Sequence, residues 1–221
     1  MKIDQIIYSR RKTLALIVRA DGTLLVRAPQ RANRLQIAQF VESKADWIRR
    51  TQEEVKRLPP PPPAREYKSG ESFLYLGKAY RLELVEKTTP ALILRDHFYL
   101  AKKSLPSASI VFTAWYKRRA REVLTARVQQ YAAQLGFKVN QVKITSARTR
   151  WGSCSSKGTL SFTWRLVMAP PPVIDYVVVH ELAHLRERNH SKRFWALVQS
   201  YMPDYKARQD WLKHNGATLS L

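Results

Sequence analysis

Cysteine and glycine are both scarce in this 221-residue sequence, with one cysteine, Cys154, and seven glycines. A single thiol excludes an internal disulfide and fits a reducing compartment. Acidic side chains are also few, 17 Asp and Glu against 39 Lys and Arg, which leaves a formal charge of +22. No apolar run approaches the roughly 18 residues that a membrane span requires. The opening residues, MKIDQIIYSRRK, contain Asp4 and lack the apolar stretch of a signal peptide. These absences lead to the expectation of a soluble cytoplasmic protein with no membrane partner. The 45% apolar content excludes a disordered or fibrous chain. The length suits one large domain or two small ones.

The positive charge is uneven. Residues 115–150 carry nine basic side chains and one acidic one. A solvated Arg-rich helix face accounts for part of this excess, and an anionic substrate or nucleic acid is the other class of partner it admits. No zinc finger, helix-turn-helix or aromatic RNA-binding pattern accompanies it.

Alternation over residues 5–28 predicts two strands joined at Asp21-Gly22 as a hairpin, with Leu14, Leu16 and Val18 on one face. Asn33 and Gln36 form a capping box for one helix that carries Ile37, Phe40, Val41 and Ile48 and fades near Leu58. Five prolines, Pro59 to Pro63, then make a stiff spacer. Short strands follow in FLYLG, YRLELVE, ALIL and FYLA. A long helix runs from about Ser107 to Leu135 and stops at Gly136. Two strands near 141–147 and 159–167 flank a loop containing Trp151-Gly152-Ser153-Cys154. The order of elements is that of an α+β protein.

After Pro170-Pro171-Pro172 comes VIDYVVVHELAHLRERNHSKRFW. The prolines suit the first helical positions, which need no N–H. His180-Glu181-Leu182-Ala183-His184 is an HExxH motif. On a helix the two histidines differ by about 40° in azimuth, so both imidazoles reach one metal ion. Glu181, offset by about 100°, reaches the attacking water instead. Chance produces such a motif about once in two hundred chains of this composition, before its helical context is required. Core histidines on a metal-free apolar helix would leave polar groups stranded.

Zinc needs a third ligand and an open fourth position. A continuing helix would rotate His190 onto the wrong face, so the chain must turn after His184. Asn189 is the expected left-handed residue of that turn, and Ser191 caps the next helix. His190 then sits at the corner and is the favoured third ligand; Asp204, Asp210 and His214 remain alternatives. Glu187 faces away. Arg148, Arg150 and Tyr176 are candidates for stabilising a transition state, and Cys154 for capping the metal, although packing or surface roles are open to each. Trp151 reads as a core anchor.

The run RWGSCS, the strand before Pro170, and then DYVVVHELAHL, NHS and FW resemble the YgjP-like family of metal-dependent hydrolases, which is similar to the SprT-like zinc metallopeptidases. The resemblance implies zinc at His180, His184 and His190, with Glu181 catalytic. The spacing also equals that of HExxHxxGxxH enzymes, but Glu187 stands in the glycine position, which argues against a true metzincin. The implied organisation is a β-rich region, 1–104, with one helix and the Pro59–Pro63 linker, followed by a zincin-like hydrolase domain, 105–221, made of a helix, a β-hairpin of the strands near 141–147 and 159–167, the HExxH helix and a C-terminal helix. The implied function is zinc-dependent peptide hydrolysis. Hydrolysis of nucleoside triphosphates of the UTP type is the alternative, and a nucleic-acid-associated protease a further one. Against the nucleotide reading, the sequence has no Gly-rich phosphate loop and no carboxylate cluster for magnesium.

Overall fold

The computed structural model describes residues 1–19, 21–57 and 63–221. The chain divides into two compact units, Met1–Pro62 and Pro63–Leu221. The expected polyproline spacer, Pro59–Pro63, lies outside the described residues apart from Pro63.

Among its described residues the first unit has three strands where alternation predicts two: β1 (Gln5–Ser9), β2 (Ala15–Val18) and β3 (Leu24–Pro29). Their order is β1-β3-β2, with β1 parallel and β2 antiparallel to β3. The β2–β3 hairpin turns at Asp21-Gly22, where the Asp21 carboxylate accepts from the Thr23 N–H at 2.9 Å and its hydroxyl at 2.7 Å. The predicted single helix is two, α1 (Arg34–Glu42) and α2 (Ala45–Arg57). The expected capping box opens α1: the Gln36 N–H donates to Asn33 Oδ1 at 2.8 Å, and the Asn33 N–H to Gln36 Oε1 at 3.2 Å. The break has a local cause. Ser43 Oγ donates to the Phe40 carbonyl, and the Lys44 N–H shifts to the Val41 carbonyl, so the i to i−4 ladder is interrupted. Leu24, Val26, Ala28, Ile37, Val41 and Ile48 form this unit's own core.

The second unit is built round α3 (Ala108–Leu135). Phe112, Tyr116, Ala120, Leu124, Val128 and Ala132 bury one stripe of it, and Gly136 ends it at φ 68° as a left-handed cap. One sheet, in the order β4-β5-β7-β6, comprises β4 (Ser72–Tyr75), β5 (Lys78–Val85), β6 (Leu92–Leu94) and β7 (Phe98–Ala101). Its Phe73, Leu82 and Phe98 share a core with Phe112, Trp115 and Tyr116 of α3. Tyr116 also donates its hydroxyl to the Leu74 carbonyl at 2.6 Å. Gly77 has φ 78°, and a β-carbon there would lie 2.9 Å from Pro170 Cα, so only glycine lets this turn approach the start of the HExxH helix.

The second sheet departs from expectation. It runs β8-β10-β9, with β8 (Gln141–Thr145) parallel to β10 (Thr159–Thr163) and β9 (Gly152–Cys154) antiparallel to it. Residues 141–147 and 159–167 therefore do not form a hairpin, and the supposed loop Gly152-Ser153-Cys154 is an edge strand. Residues 164–168 form a 3-10 turn rather than the end of a strand. Three helices complete the unit: α4 (Pro171–Ala183), α5 (Lys192–Tyr201) and α6 (Tyr205–Asn215), the last of which periodicity did not reveal. Among the described residues the chain is a mixed α+β fold with six helices. Among the described residues, no helix is long and apolar enough to cross a membrane.

Candidate metal centre

Helix α4 is buried almost all round. Val173, Ile174, Val177, Val178, Val179 and Leu182 are each at most 4% exposed. A helix without a polar face belongs in an interior, and here it contacts α3, α5, α6 and β9. Pro171 occupies its first turn, where a missing N–H leaves nothing unsatisfied. The helix ends at Ala183, and His184 is its C-terminal cap. The N–H groups of Leu185, Arg186 and Glu187 fold back onto the carbonyls of Leu182 and Ala183. Asn189 does not take the left-handed conformation expected of it; the reversal is made by these tightened turns. Ser191 caps α5 as anticipated, accepting from the Phe194 N–H at 3.3 Å.

This reversal returns His190 to the other two histidines. One nitrogen from each of His180, His184 and His190 lies within 4.8 Å of the others, and the Nε2 atoms of His180 and His190 are 3.0 Å apart. A tetrahedral ion with bonds of 2.0–2.1 Å separates its ligands by about 3.3 Å, so the donor set fits zinc in kind and the His180–His190 pair fits it in spacing. His184 Nδ1 hydrogen-bonds the Glu187 carbonyl at 3.0 Å, which leaves its Nε2 for a metal. Glu187 thus contributes its backbone and not its carboxylate. His180 Nδ1 is buried with no partner. Burial, then the charges of His184 and His190, pulls the His180 pKa down to about 3. Burial also lowers that of His190. Both shifts favour the neutral imidazole, the form that binds metal. Phe194, fully buried, supports the trio with its ring centroid 4.9, 4.5 and 4.8 Å from those of His180, His184 and His190.

Glu181 is 5% exposed, and its Oε2 has no hydrogen-bond partner. Burial raises its pKa to about 8 against the opposing pull of Arg150. Strand β9 lies directly against it: a β-carbon on Gly152 would sit 2.5 Å from Glu181 Oε1 and 2.6 Å from Cγ. The glycine of the Trp-Gly-Ser-Cys run is thus a packing surface for the buried carboxylate.

A family profile described as "YgjP-like, metallopeptidase domain" matches residues 12–215. The chain belongs to the YgjP-like family. Over 59 residues it is 36% identical to the UTP pyrophosphatase of Escherichia coli (strain K12), covering 27% of this chain and 35% of that protein. The match thus spans about a third of that curated relative's length. Among solved structures, the metallopeptidase zymogen of Pyrococcus abyssi abylysin is similar at 25% identity with a TM-score of 0.37, over 39% of this chain and 89% of that one.

In this YgjP-like chain two clefts flank the histidines. One, of about 350 Å³, is lined by Gly152 to Ser156, His180, Glu181, His184, Arg188 and His190. The other, of about 640 Å³, has Arg150, Trp151, Tyr176, Gln209, Asp210 and Lys213 along its walls beside His180 and Glu181. The sequence candidates therefore separate. Arg150 and Tyr176 border Glu181, whereas Arg148 lines a neighbouring cleft. Cys154 lines the smaller cleft but is not in the three-histidine cluster, and burial raises its pKa. None of the other ligand candidates joins that cluster. Asp204 pairs with Arg208 at 2.8 Å, His214 hydrogen-bonds the Asp210 carbonyl, and Asp210 borders the larger cleft. Phe194, Arg188, Gly152 and α6 were not assigned to the site from sequence. For Phe194 the signal was available, since Phe-Trp follows the last histidine at helical spacing from the Ser191 cap.

Proposed function

We propose that this YgjP-like protein is a zinc-dependent hydrolase of polypeptides. The observation that carries the reading is the convergence of three imidazoles and a buried carboxylate beside an edge strand. His180, His184 and His190 would hold the ion and Glu181 would be the catalytic base. Zinc, when bound, supplies a Lewis acid and lowers the pKa of water to about 7. Glu181 takes the proton of the attacking water and returns it to the leaving amine. Burial raises the proton affinity of Glu181, the direction that favours taking a proton from water. Burial also raises the Tyr176 pKa to about 12, so its hydroxyl stays a hydrogen-bond donor at the cleft wall. Strand β9 pairs with β10 on one side only. Its other edge offers backbone donors and acceptors to an extended peptide, whose residues would fall into the two clefts on either side of Glu181.

A second reading, hydrolysis of a nucleoside triphosphate, draws support from the 59-residue likeness to a UTP pyrophosphatase and from Arg150 beside Glu181. Both readings are tested by assaying zinc-loaded wild type and Glu181→Gln against a quenched peptide library and a nucleoside-triphosphate panel. Peptide turnover by wild type alone, with equal zinc in both proteins, is expected. Full activity in Glu181→Gln would sink the assignment of the base, and turnover confined to nucleotides would replace the first reading by the second.

A further inference from the structure

Beyond the three-histidine cluster lies a separate cleft of about 530 Å³, lined by Arg148, Arg150, Trp151, Thr163, Arg165 and Gly216 among others. Three arginines line this space, and neither Asp nor Glu does. Among the described residues none of the three makes an ion pair with a carboxylate, although the chain forms such pairs elsewhere, as at Arg208 and Asp204. Neighbouring arginines repel one another, and of the three Arg150 also acts on a carboxylate, that of Glu181. Burial first, and the like charge of Arg148 next, draws the Arg165 pKa below its ordinary value.

The frame that carries these side chains is built, not loose. Thr163 Oγ1 donates to the Ala147 carbonyl at 2.8 Å, and the Thr163 N–H to the Trp151 carbonyl at 3.0 Å, so residues 147–151 are pinned to the end of β10. Arg165 Nη1 donates to the Ser146 carbonyl at 3.2 Å, and its guanidinium lies 4.2 Å from the Trp164 ring centroid. One nitrogen of that fork is thereby used, which leaves further donors for a ligand. Trp151 is held against Gly216, where a β-carbon would approach within 2.8 Å of the indole.

We propose that Arg148, Arg150 and Arg165 form a binding site for the phosphate chain of a di- or triphosphate. A single carboxylate would leave two of the three cations unmatched, whereas a phosphate chain presents several charges and many acceptor oxygens in the forked geometry that arginine reads. The volume is within the range of small-ligand sites. Arg150 and Trp151 line both this cleft and the larger one beside Glu181, so a ligand held here abuts the hydrolytic centre. The site uses none of the three histidines, and its occupancy does not depend on which bond that centre breaks.

The test is calorimetric titration of the full chain with inorganic tripolyphosphate, with UTP in a parallel arm and hexaglutamate as a carboxylate probe. Binding should weaken by at least about tenfold in Arg148→Gln/Arg165→Gln. It should hold within twofold in Arg118→Gln/Arg121→Gln, which removes the same charge from exposed positions of α3, and in His184→Ala, which removes a proposed metal ligand. Equal affinity for tripolyphosphate and UTP supports recognition of the phosphate chain alone; tighter UTP supports it with an added contact to the base. Absent binding of both phosphates, equal weakening in the two double variants, or hexaglutamate binding as tightly as tripolyphosphate overturns the proposal. Loss of binding in His184→Ala alone would assign the phosphate to the histidine cluster and overturn it too.

Discussion

Adding one methyl group at Gly152 tests whether the position of Glu181 controls turnover. The Cβ of Gly152→Ala would lie 2.5 Å from Glu181 Oε1, where ordinary contact begins near 3.4 Å, so the carboxylate must retreat by about 0.9 Å. Gly152 is paired with Phe162 in the β9–β10 ladder, which limits how far the backbone can yield. A displacement of about 1 Å at a catalytic group lowers kcat by about 100-fold, or about 2.7 kcal/mol in the activation barrier. Overpacking of this kind destabilises the fold by about 1–3 kcal/mol, which urea unfolding will resolve. The histidines are not displaced, and zinc content should remain that of wild type. The assay is kcat and KM on a cleaved peptide at saturating zinc, with Gly70→Ala as the control. Gly70 has φ 88° and open space around its would-be β-carbon, so that variant bears backbone strain without touching Glu181. A folded Gly152→Ala protein with wild-type kcat would refute the reasoning.

Further expectations concern the supports of the site. Phe194→Ala removes a fully buried ring beneath three imidazoles and should cost about 3–5 kcal/mol in stability. Zinc affinity should fall with it, and unchanged affinity by competition with a chelator would remove Phe194 from the metal site. His190→Ala should lose stoichiometric zinc in elemental analysis while keeping its fold, and full zinc retention would return the third-ligand role to another residue. Asp175, buried near Arg127 in α3, has its pKa raised by desolvation, with Arg127 and then Tyr131 opposing. A raised carboxylic pKa means the folded state holds the proton more tightly, so its favourable contribution is present below the unfolded value of 3.8 and lost as pH rises through the folded value. Wild type should therefore lose stability relative to Asp175→Asn as pH rises from about 4, and a difference independent of pH would contradict this.

What the sequence disclosed about this protein follows from the range of the signals. Helix α3 and its Gly136 cap, the Asn33–Gln36 capping box and the Ser191 cap were legible because each is set by residues within one or two turns. The HExxH pair was legible for the same reason. The break between α1 and α2 was not, since it depends on which acceptor the Ser43 hydroxyl and Lys44 N–H choose. Strand β9 was missed because Gly-Ser-Cys has little intrinsic strand preference; its conformation comes from pairing with residues 160–162. The same tertiary origin hid the contact between Gly152 and Glu181, and the gathering of Arg148, Arg150 and Arg165 from two segments into one cleft. His190 was placed at the right corner for an incomplete reason. A turn was required by helix geometry, but it is made by Leu185 to Glu187 folding onto Leu182 and Ala183 and not by a left-handed Asn189.

The proposed hydrolysis requires His180, His184 and His190 to share one zinc ion. X-ray absorption at the zinc edge of the stoichiometrically loaded chain tests this most directly. Three imidazole nitrogens at about 2.0–2.1 Å and one further light-atom ligand are predicted. A sulfur shell near 2.3 Å, which only Cys154 or a methionine could supply, or fewer than three imidazoles, would contradict it.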